Sequence, residues 1–364
     1  MKPLEFSSAL AMVLSMTGAL CGAGCSSSDA EPWGGAGSAS GAAGMANGAA
    51  GSGGSSGAAG APAAAAGTSS SGGALTEGGA PNGGAGAGVG AGAAPPATQG
   101  CTVGAWPAAD PSMAGPYETV TENEVGPEAG ERDDETGTVP KFTLFRPKEL
   151  SPDGRCHPVI TWGNGTGSTP NLYRSLLRLF ASHGMVVIAS NSKNVSRGEP
   201  KPMLVGVTWM LEQNEDPASP LYHRLDPTHI GATGHSQGAV ATSQASGDAR
   251  ITTSVPIEGA MVQRNLHGPA MFFCGALDDI VGCDGAASAL NAVTTLPALY
   301  AENLSVDHGS WMSFGNAPSP TYAAITAWMR VHLLADEALR PWFYGPSCQL
   351  CGDEGWQVEQ KNMQ

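Results

Sequence analysis

Short apolar runs alternate with longer amphipathic stretches along the chain from Val139 onwards. The short runs are rich in β-branched and aromatic residues, as buried strands are, whereas the longer ones place apolar residues at helical spacing. Strands are predicted at Lys141–Arg146, Pro158–Trp162, Met185–Ser190, Ile230–Thr233, Thr252–Ile257, Ala270–Gly275 and Leu299–Val306. Helices are predicted at Leu172–Ser182, Leu204–Gln213, Ala239–Ala245, Ala286–Val293 and Tyr322–Ala335.

This alternation predicts an α/β fold, because parallel strands need crossover connections that usually contain a helix. The expected architecture is a mostly parallel central sheet flanked by helices on both faces. In open sheets of this kind, chemistry collects where the strands reach their carboxyl ends. The pattern and its length predict one folded domain over residues 101–364.

The segment before this domain has a different composition. Gly, Ala and Ser dominate from Gly34 to Gly100, and Glu77 is the one charged residue there. Such a segment has too little apolar surface to bury, so residues 26–100 are expected to form a disordered linker.

The first 25 residues have the layout of a secretory signal peptide. Lys2 is followed by an apolar stretch from Ala9 to Leu20 and then by small residues that end at Cys25. The surrounding sequence resembles the lipobox of bacterial lipoproteins, which implies lipidation of Cys25, with Cys21 as the alternative. We therefore expect an exported protein, either secreted or held at the outer membrane or cell surface by this anchor alone, since no apolar run is long enough to span a bilayer.

The net charge of −15 argues against nucleic acid as a partner, because acidic surfaces repel phosphates and the domain has no cluster of Lys or Arg. Six of the eight cysteines lie in the domain, an even number that predicts three disulfides in an exported protein. Fifteen pairings are open, and short separation favours Cys274 with Cys283 and Cys348 with Cys351. The last pair could also be half of a zinc site, but a second half with metal spacing is missing.

A candidate nucleophile lies in the Gly-x-Ser-x-Gly sequence Gly234–Gly238, whose serine is Ser236. The same pattern occurs at Gly53–Gly57, so the pattern alone carries little weight. Only Ser236 lies between a predicted strand and a predicted helix, the arrangement that holds a strained nucleophile at a sheet edge. A side chain at Gly234 or Gly238 would collide with neighbouring backbone there.

A serine nucleophile needs a histidine base and an acid that orients the base, in the chain order Ser, acid, His. His308 lies in a loop just past a predicted strand, whereas His332 lies inside a predicted helix and is expected to pack or face solvent. Asp278 follows the strand Ala270–Gly275 by three residues and is the predicted acid. The other acid candidates are Asp279, Asp284 and Asp307.

Backbone N–H groups can stabilise the oxyanion of the tetrahedral intermediate. One expected donor is the N–H of Gln237, directly after the nucleophile. The second is expected from the Gly-rich loop Trp162–Ser168, where Thr166 is the predicted donor and Gly165 the alternative. A phosphate-binding loop is excluded here because the characteristic Gly-Lys pair is missing.

Together these motifs resemble the α/β-hydrolase superfamily, and within it the bacterial cutinase and polyester hydrolase group with its chlorophyllase and dienelactone hydrolase-like relatives. The resemblance extends from about Gly115 to Ala335. It implies that Ser236, Asp278 and His308 are nucleophile, acid and base, that Thr166 and Gln237 form the oxyanion hole, and that no metal or organic cofactor is needed.

The sequence departs from polyester hydrolases at two aromatic positions. Pro256-Ile257-Glu258 stands where they have a Trp at the end of the strand after the nucleophile helix, and Thr166 replaces an aromatic residue beside the oxyanion hole. Both departures argue against an aromatic clamp for a terephthalate ring, although Trp311 is a candidate to supply part of one as a substrate-binding residue. Dienelactone hydrolysis uses a Cys nucleophile, which Ser236 does not match.

The expected function is hydrolysis of small or polymeric carboxylic esters through an acyl-enzyme. A helix and two strands fill the interval from Ser236 to Asp278, so no cap domain is expected and the cleft should be open. Activity should fall as pH drops through about 6 to 7, because the base must be neutral. The open alternatives are a serine peptidase or thioesterase and an inactive binding protein, and the sequence leaves acyl specificity and oligomeric state undetermined.

Overall fold

The structure is a computed structural model that describes residues 101–199, 201–312 and 319–364. The predicted signal peptide (1–25), the lipidation site Cys25 and the linker (26–100) lie outside the described residues. Within the described ranges the strands are β1 (Thr119–Val125), β2 (Phe142–Pro147), β3 (His157–Gly163), β4 (Val186–Ser190), β5 (Leu225–His235), β6 (Thr253–Ile257), β7 (Ala270–Gly275), β8 (Ala298–Asn303) and β9 (Trp356–Lys361). The helices are α1 (Arg174–Ser182), α2 (Pro202–Glu215), α3 (Gln237–Ala245), α4 (Asp284–Ala292) and α5 (Pro320–Leu333).

All nine of these strands form one sheet in the order β1-β2-β4-β3-β5-β6-β7-β8-β9. The six central strands, from β4 to β8, run parallel, whereas β1, β2 and β9 pair antiparallel at the two edges. Because the parallel strands share one direction, the carboxyl ends of β3, β5, β6, β7 and β8 meet at one edge. The predicted mostly parallel sheet is confirmed.

Helices cover both faces of the sheet. On one face, α1 and α5 pack on a core that includes Met271 and Phe273 of β7. Their neighbours in β7, Phe272 among them, point to the opposite face, where α2, α3 and α4 pack. Residues 237–277 are all described and contain only α3, β6, β7 and short connections, which confirms that no cap domain interrupts the fold there. This arrangement is the α/β-hydrolase fold.

Two edge strands and several element boundaries differ from the sequence-based prediction. Neither β1 nor β9 was predicted, because none of the β1 residues is fully buried and only Trp356 is buried in β9. The predicted helix Leu172–Ser182 begins at Arg174, after a 3₁₀ turn at Pro170–Tyr173. The predicted strand Leu299–Val306 ends at Asn303, where the chain turns into the loop that carries His308.

Three disulfides are present in the described part of the chain. Cys274–Cys283 and Cys348–Cys351 are the two predicted pairs, which are confirmed, and the third joins Cys101 to Cys156. Disulfides persist in oxidising compartments, so three of them indicate an exported domain. No helix in the described ranges is long and apolar enough to cross a bilayer.

A buried histidine between α1 and the amino end of β4 makes the fold sensitive to acid. His183 is 1% exposed; its Nε2–H donates to the Met113 carbonyl (3.0 Å), and its Nδ1 accepts from Arg330 Nη1 (2.9 Å). Burial and the Arg330 charge lower the pKa of His183 to about 4. In the unfolded chain this imidazole takes up a proton near pH 6.5, whereas in the folded chain it stays neutral down to about pH 4. The free energy of unfolding therefore falls as pH drops from about 6.5 to 4.

We expect this one group to contribute roughly 3 kcal/mol to that loss. His183→Gln retains a donor and an acceptor but does not titrate, so the pH dependence of its unfolding free energy should be shallower by up to that amount. Urea unfolding at pH 4.5, 5.5 and 7 measures it. Parallel curves for the two proteins would show that His183 accepts a proton in the folded state.

Candidate active site

Ser236 lies on a sharp turn between β5 and α3. Its backbone has φ 57° and ψ −119°, a left-handed conformation that strains a residue with a side chain, and its N–H donates to the Ile257 carbonyl (2.9 Å). A Cβ on Gly234 would lie 2.6 Å from the Gly163 carbonyl oxygen, and one on Gly238 would come still closer. The glycines therefore let α3 pack against β3 while the serine stands at the carboxyl edge of the sheet.

Ser236, His308 and Asp278 form a continuous hydrogen-bond chain. The Ser236 hydroxyl Oγ is 2.9 Å from His308 Nε2, and His308 Nδ1 is 2.8 Å from Asp278 Oδ2. Because an ionised carboxylate can only accept, Nδ1 carries the proton and Nε2 is free to accept from the serine. The structure thus brings together the three side chains predicted as nucleophile, base and acid, from the ends of β5, β7 and β8.

Asp278 is held as the charged acid. Its side chain is 0% exposed, and its Oδ1 accepts the N–H groups of Ile280 (2.9 Å) and Val281 (3.1 Å). Burial alone would raise the pKa of Asp278, but the hydrogen bonds from His308 and from these two N–H groups outweigh it and hold the pKa below its usual value. A charged Asp278 can stabilise an imidazolium on His308.

The other candidate acids and the second histidine lie elsewhere. Asp307 turns away from the imidazole, and its Oδ1 accepts the N–H groups of Gly309 (3.0 Å) and Ser310 (2.8 Å), which shapes the turn that carries His308. Asp279 is exposed at the mouth of the cleft, and Asp284 begins α4. His332 lies in α5 against the Trp328 ring, 4.5 Å between centroids.

The two predicted oxyanion donors lie beside Ser236. Gln237 is the first residue of α3, so its N–H has no acceptor within the helix. In the loop after β3, the Gly165 N–H donates to the Tyr173 hydroxyl (3.0 Å), whereas Thr166, the predicted donor, is exposed on the cleft. Within residues 101–199 and 201–312, neither the Thr166 nor the Gln237 N–H has an acceptor.

His235, directly before the nucleophile, connects the oxyanion loop to the base loop. Its Nε2 is 2.8 Å from the His308 carbonyl oxygen, an acceptor, so Nε2 carries the proton. Its Nδ1 therefore accepts from the Tyr173 hydroxyl (3.0 Å), which in turn accepts from Gly165. Burial, with the nearby His308, lowers the pKa of His235 to about 4 and keeps this ring neutral. The network fixes the loops on both sides of Ser236.

The site opens into a cleft of about 710 Å³. Its wall includes the aliphatic residues Leu172, Leu277, Ile280 and Met312. Trp311 was expected to contact substrate, and this expectation is wrong: the side chain is 0% exposed and lies behind the cleft, stacked near Tyr173 at 6.4 Å between ring centroids. The loop after His308 turns Trp311 inward, because its large apolar ring gains more from burial in the core.

One further buried acid stands next to these residues. Glu258 directly follows β6, is 0% exposed, and places Oε2 3.1 Å from His235 Nε2 and 3.8 Å from His308 Nδ1. In the described part of the chain, His235, Glu258 and His308 also form a group with ligand atoms close enough for a metal ion. His235 Nε2 donates its proton to the His308 carbonyl, and His308 Nδ1 donates its proton to Asp278. The group is therefore arranged as a hydrogen-bond network.

Comparison with protein families agrees with this geometry. The family model described as "PETase: PET hydrolase-like" matches residues 174–353. This segment belongs to the PET hydrolase-like family. Among curated proteins, none matches the chain significantly.

The PET hydrolase-like segment begins at α1 and ends before β9, so it contains Ser236, Asp278 and His308 but not Thr166. The family assignment and the sheet together make this an ester hydrolase of the α/β-hydrolase type. Sequence reasoning missed Tyr173, His235 and Glu258. A signal existed for Glu258, a carboxyl directly after a buried strand, and for His235, inside the nucleophile motif, whereas nothing in the sequence distinguishes Tyr173.

Proposed function

We propose that this protein is an exported serine carboxylic-ester hydrolase that acts through an acyl-enzyme on Ser236. The observation that carries the proposal is the chain Ser236 Oγ–His308 Nε2 (2.9 Å) and His308 Nδ1–Asp278 Oδ2 (2.8 Å) at the floor of an open cleft. A serine hydroxyl is a weak nucleophile alone, and this arrangement supplies both the base and the acid that orients it.

In the proposed reaction, His308 Nε2 takes the Ser236 proton as Oγ attacks the ester carbonyl carbon. Negative charge moves to the carbonyl oxygen, which accepts from the Gln237 and Thr166 N–H groups. The C–O bond to the alcohol breaks, and the imidazolium returns its proton to the departing oxygen. Water, deprotonated by the same nitrogen, then attacks the acyl carbon and releases the acid, which restores Ser236.

The cleft supports uncharged aliphatic acyl groups as substrates. Its apolar lining is aliphatic at the mouth, with Leu277 60% and Ile280 69% exposed. The charged residues in the lining are Asp279 and Asp307, and none of the described lining residues is Lys or Arg. None of the helices and strands within residues 101–199, 201–312 and 319–364 forms a cap over the strand ends, so the cleft can accept a chain that extends beyond it, as a polyester does.

Fluorophosphonate labelling followed by peptide mapping tests the proposed nucleophile. We expect label on Ser236 in the wild type and none in Ser236→Ala. Rates on p-nitrophenyl esters of graded acyl length, measured beside thioesters and peptide anilides, identify the bond that is cleaved. Label on another residue contradicts the site, and faster cleavage of anilides or thioesters assigns the scaffold to a peptidase or thioesterase.

The acidic mouth predicts discrimination by charge. At low salt, kcat/KM for p-nitrophenyl butyrate should exceed that for p-nitrophenyl hemisuccinate by roughly fivefold, because a carboxylate a few ångströms from Asp279 costs about 1 kcal/mol. The ratio should shrink in 0.5 M NaCl and in Asp279→Asn, since salt screens exposed charges. A ratio that ignores both changes contradicts an electrostatic origin.

We also propose that the domain is displayed outside the cell by a lipid on Cys25, with Cys21 as the alternative site. The three disulfides support export. The Gly/Ala/Ser-rich segment 26–100 would serve as the tether, with a span on the order of 50 Å. Cys25→Ser should move the protein from the membrane fraction to the medium. If only Cys21→Ser does so, Cys21 is the site, and unchanged fractionation of the Cys21→Ser, Cys25→Ser double variant contradicts the anchor.

A further inference from the structure

Glu258 is a buried carboxyl aimed at the base from a second strand. It directly follows β6, and its left-handed backbone (φ 51°) is followed by Gly259 at φ 145°. A side chain in this strained conformation persists only where its surroundings hold it. Gly275 leaves room for both the Val306 carbonyl and this carboxyl, because a Cβ there would lie 2.9 Å from Glu258 Oε1 and still closer to the Val306 carbonyl oxygen. The local structure is therefore built around the carboxyl group.

Two carboxyl groups consequently face one imidazole. Asp278 comes from the end of β7 and bonds His308 Nδ1 at 2.8 Å, while Glu258 comes from the adjacent parallel strand β6 and reaches 3.8 Å from the same nitrogen. Glu258 Oε2 also lies 3.1 Å from His235 Nε2, and the Trp311 indole N–H interacts with the same carboxyl group, although it makes no well-formed hydrogen bond to Oε1.

The charge at this site is shared unequally between the two acids. Burial, together with the charges of Asp278 and Asp307, raises the pKa of Glu258 to about 9, so Asp278 carries the charge at neutral pH and Glu258 is protonated. The titratable groups that face Glu258 are His235 at the end of β5, Asp278 after β7, and Asp307 and His308 after β8.

We propose that Glu258 is a second acid of the triad, a positioning residue that balances the His308 imidazolium whenever it is ionised. The proposal rests on the serine mechanism above. Glu258 ionises by losing its proton to water, either at alkaline pH or when the charge of Asp278 is removed. The resulting carboxylate faces Nδ1, so it stabilises the proton that His308 holds during acyl transfer.

The decisive experiment measures kcat for Glu258→Gln in two backgrounds, wild type and Asp278→Asn. Gln has the size of Glu and keeps an oxygen for His235, but it cannot ionise. We expect the substitution to lower kcat at least tenfold more in the Asp278→Asn background, where Glu258 is the remaining carboxylate. The same factor in both backgrounds would overturn the proposal, because it is the result of a purely structural role.

A pH profile decides the matter if the double variant does not fold, as judged by circular dichroism and thermal unfolding. The kcat of the wild type should show a second titration near pH 9 that is absent in Glu258→Gln, and superimposable profiles from pH 7.5 to 10.5 would overturn the proposal. Fluorophosphonate labelling of wild-type Ser236 is run alongside. Absence of label refutes the serine mechanism. If Ser236 is labelled but Glu258→Gln lowers kcat by the same factor in both backgrounds, only the role of Glu258 is refuted.

Discussion

Ser236→Ala and His308→Ala are each expected to lower kcat for ester hydrolysis by roughly a millionfold, and the double variant no further. The two side chains act as one unit, because the hydroxyl attacks only when the imidazole at 2.9 Å takes its proton. Once either side chain is removed, the other no longer contributes to the attack on the ester. The rate enhancement that these variants keep, relative to the uncatalysed reaction, should come from the oxyanion donors and from substrate binding.

Single-turnover kinetics with a p-nitrophenyl ester measure this effect, with thermal unfolding as a check that each variant is folded. His267→Ala is a matched control, since His267 is exposed before the amino end of β7, at the opposite edge of the sheet. Its kcat should equal that of the wild type. Multiplicative losses in the Ser236/His308 double variant would show that the residues contribute independently and would contradict the triad.

The central part of this fold could be predicted from the sequence because its strands are buried on both faces. A strand such as Val186–Ser190 consists of consecutive buried residues, so its apolar run is continuous and flanked by helical patterns. The edge strands β1 and β9 offer no such signal, since they are mostly exposed and polar and exist because a neighbouring strand supplies hydrogen bonds. Pairing of this kind is a tertiary effect that local patterns do not contain.

The candidate triad could be predicted because chain order and strand ends restrict it. Ser236, Asp278 and His308 each follow a predicted strand, and parallel strands bring such positions to one edge. The direction of a side chain within a loop is not restricted in this way, so Trp311 was placed in the cleft although it packs behind it. The links from His235 to Tyr173 and Glu258 span 62 and 23 residues and depend on packing between elements.

Gly238→Ala is expected to damage both the fold and the active site. The new methyl group would penetrate the van der Waals radius of the Gly163 carbonyl oxygen, which belongs to β3 and cannot move aside as a flexible side chain could. Relief requires α3 to shift away from β3, which we expect to cost several kcal/mol, a large share of the stability of an ordinary domain. The melting temperature should fall by roughly 10 °C or more.

The same shift should misplace the Gln237 N–H and the Ser236 hydroxyl, and a displacement of about 1 Å lowers kcat by about a hundredfold. Two controls separate these effects. Gly104→Ala meets nothing within 4 Å and should match the wild type, while Gly268→Ala collides with the Thr252 carbonyl at the opposite edge of the sheet. Gly268→Ala should therefore lose stability to a similar degree but keep the wild-type kcat per folded molecule. If Gly238→Ala also kept that kcat, the close approach of α3 to β3 would serve stability alone, and the position of the nucleophile would have to be set by the strained backbone of Ser236 itself.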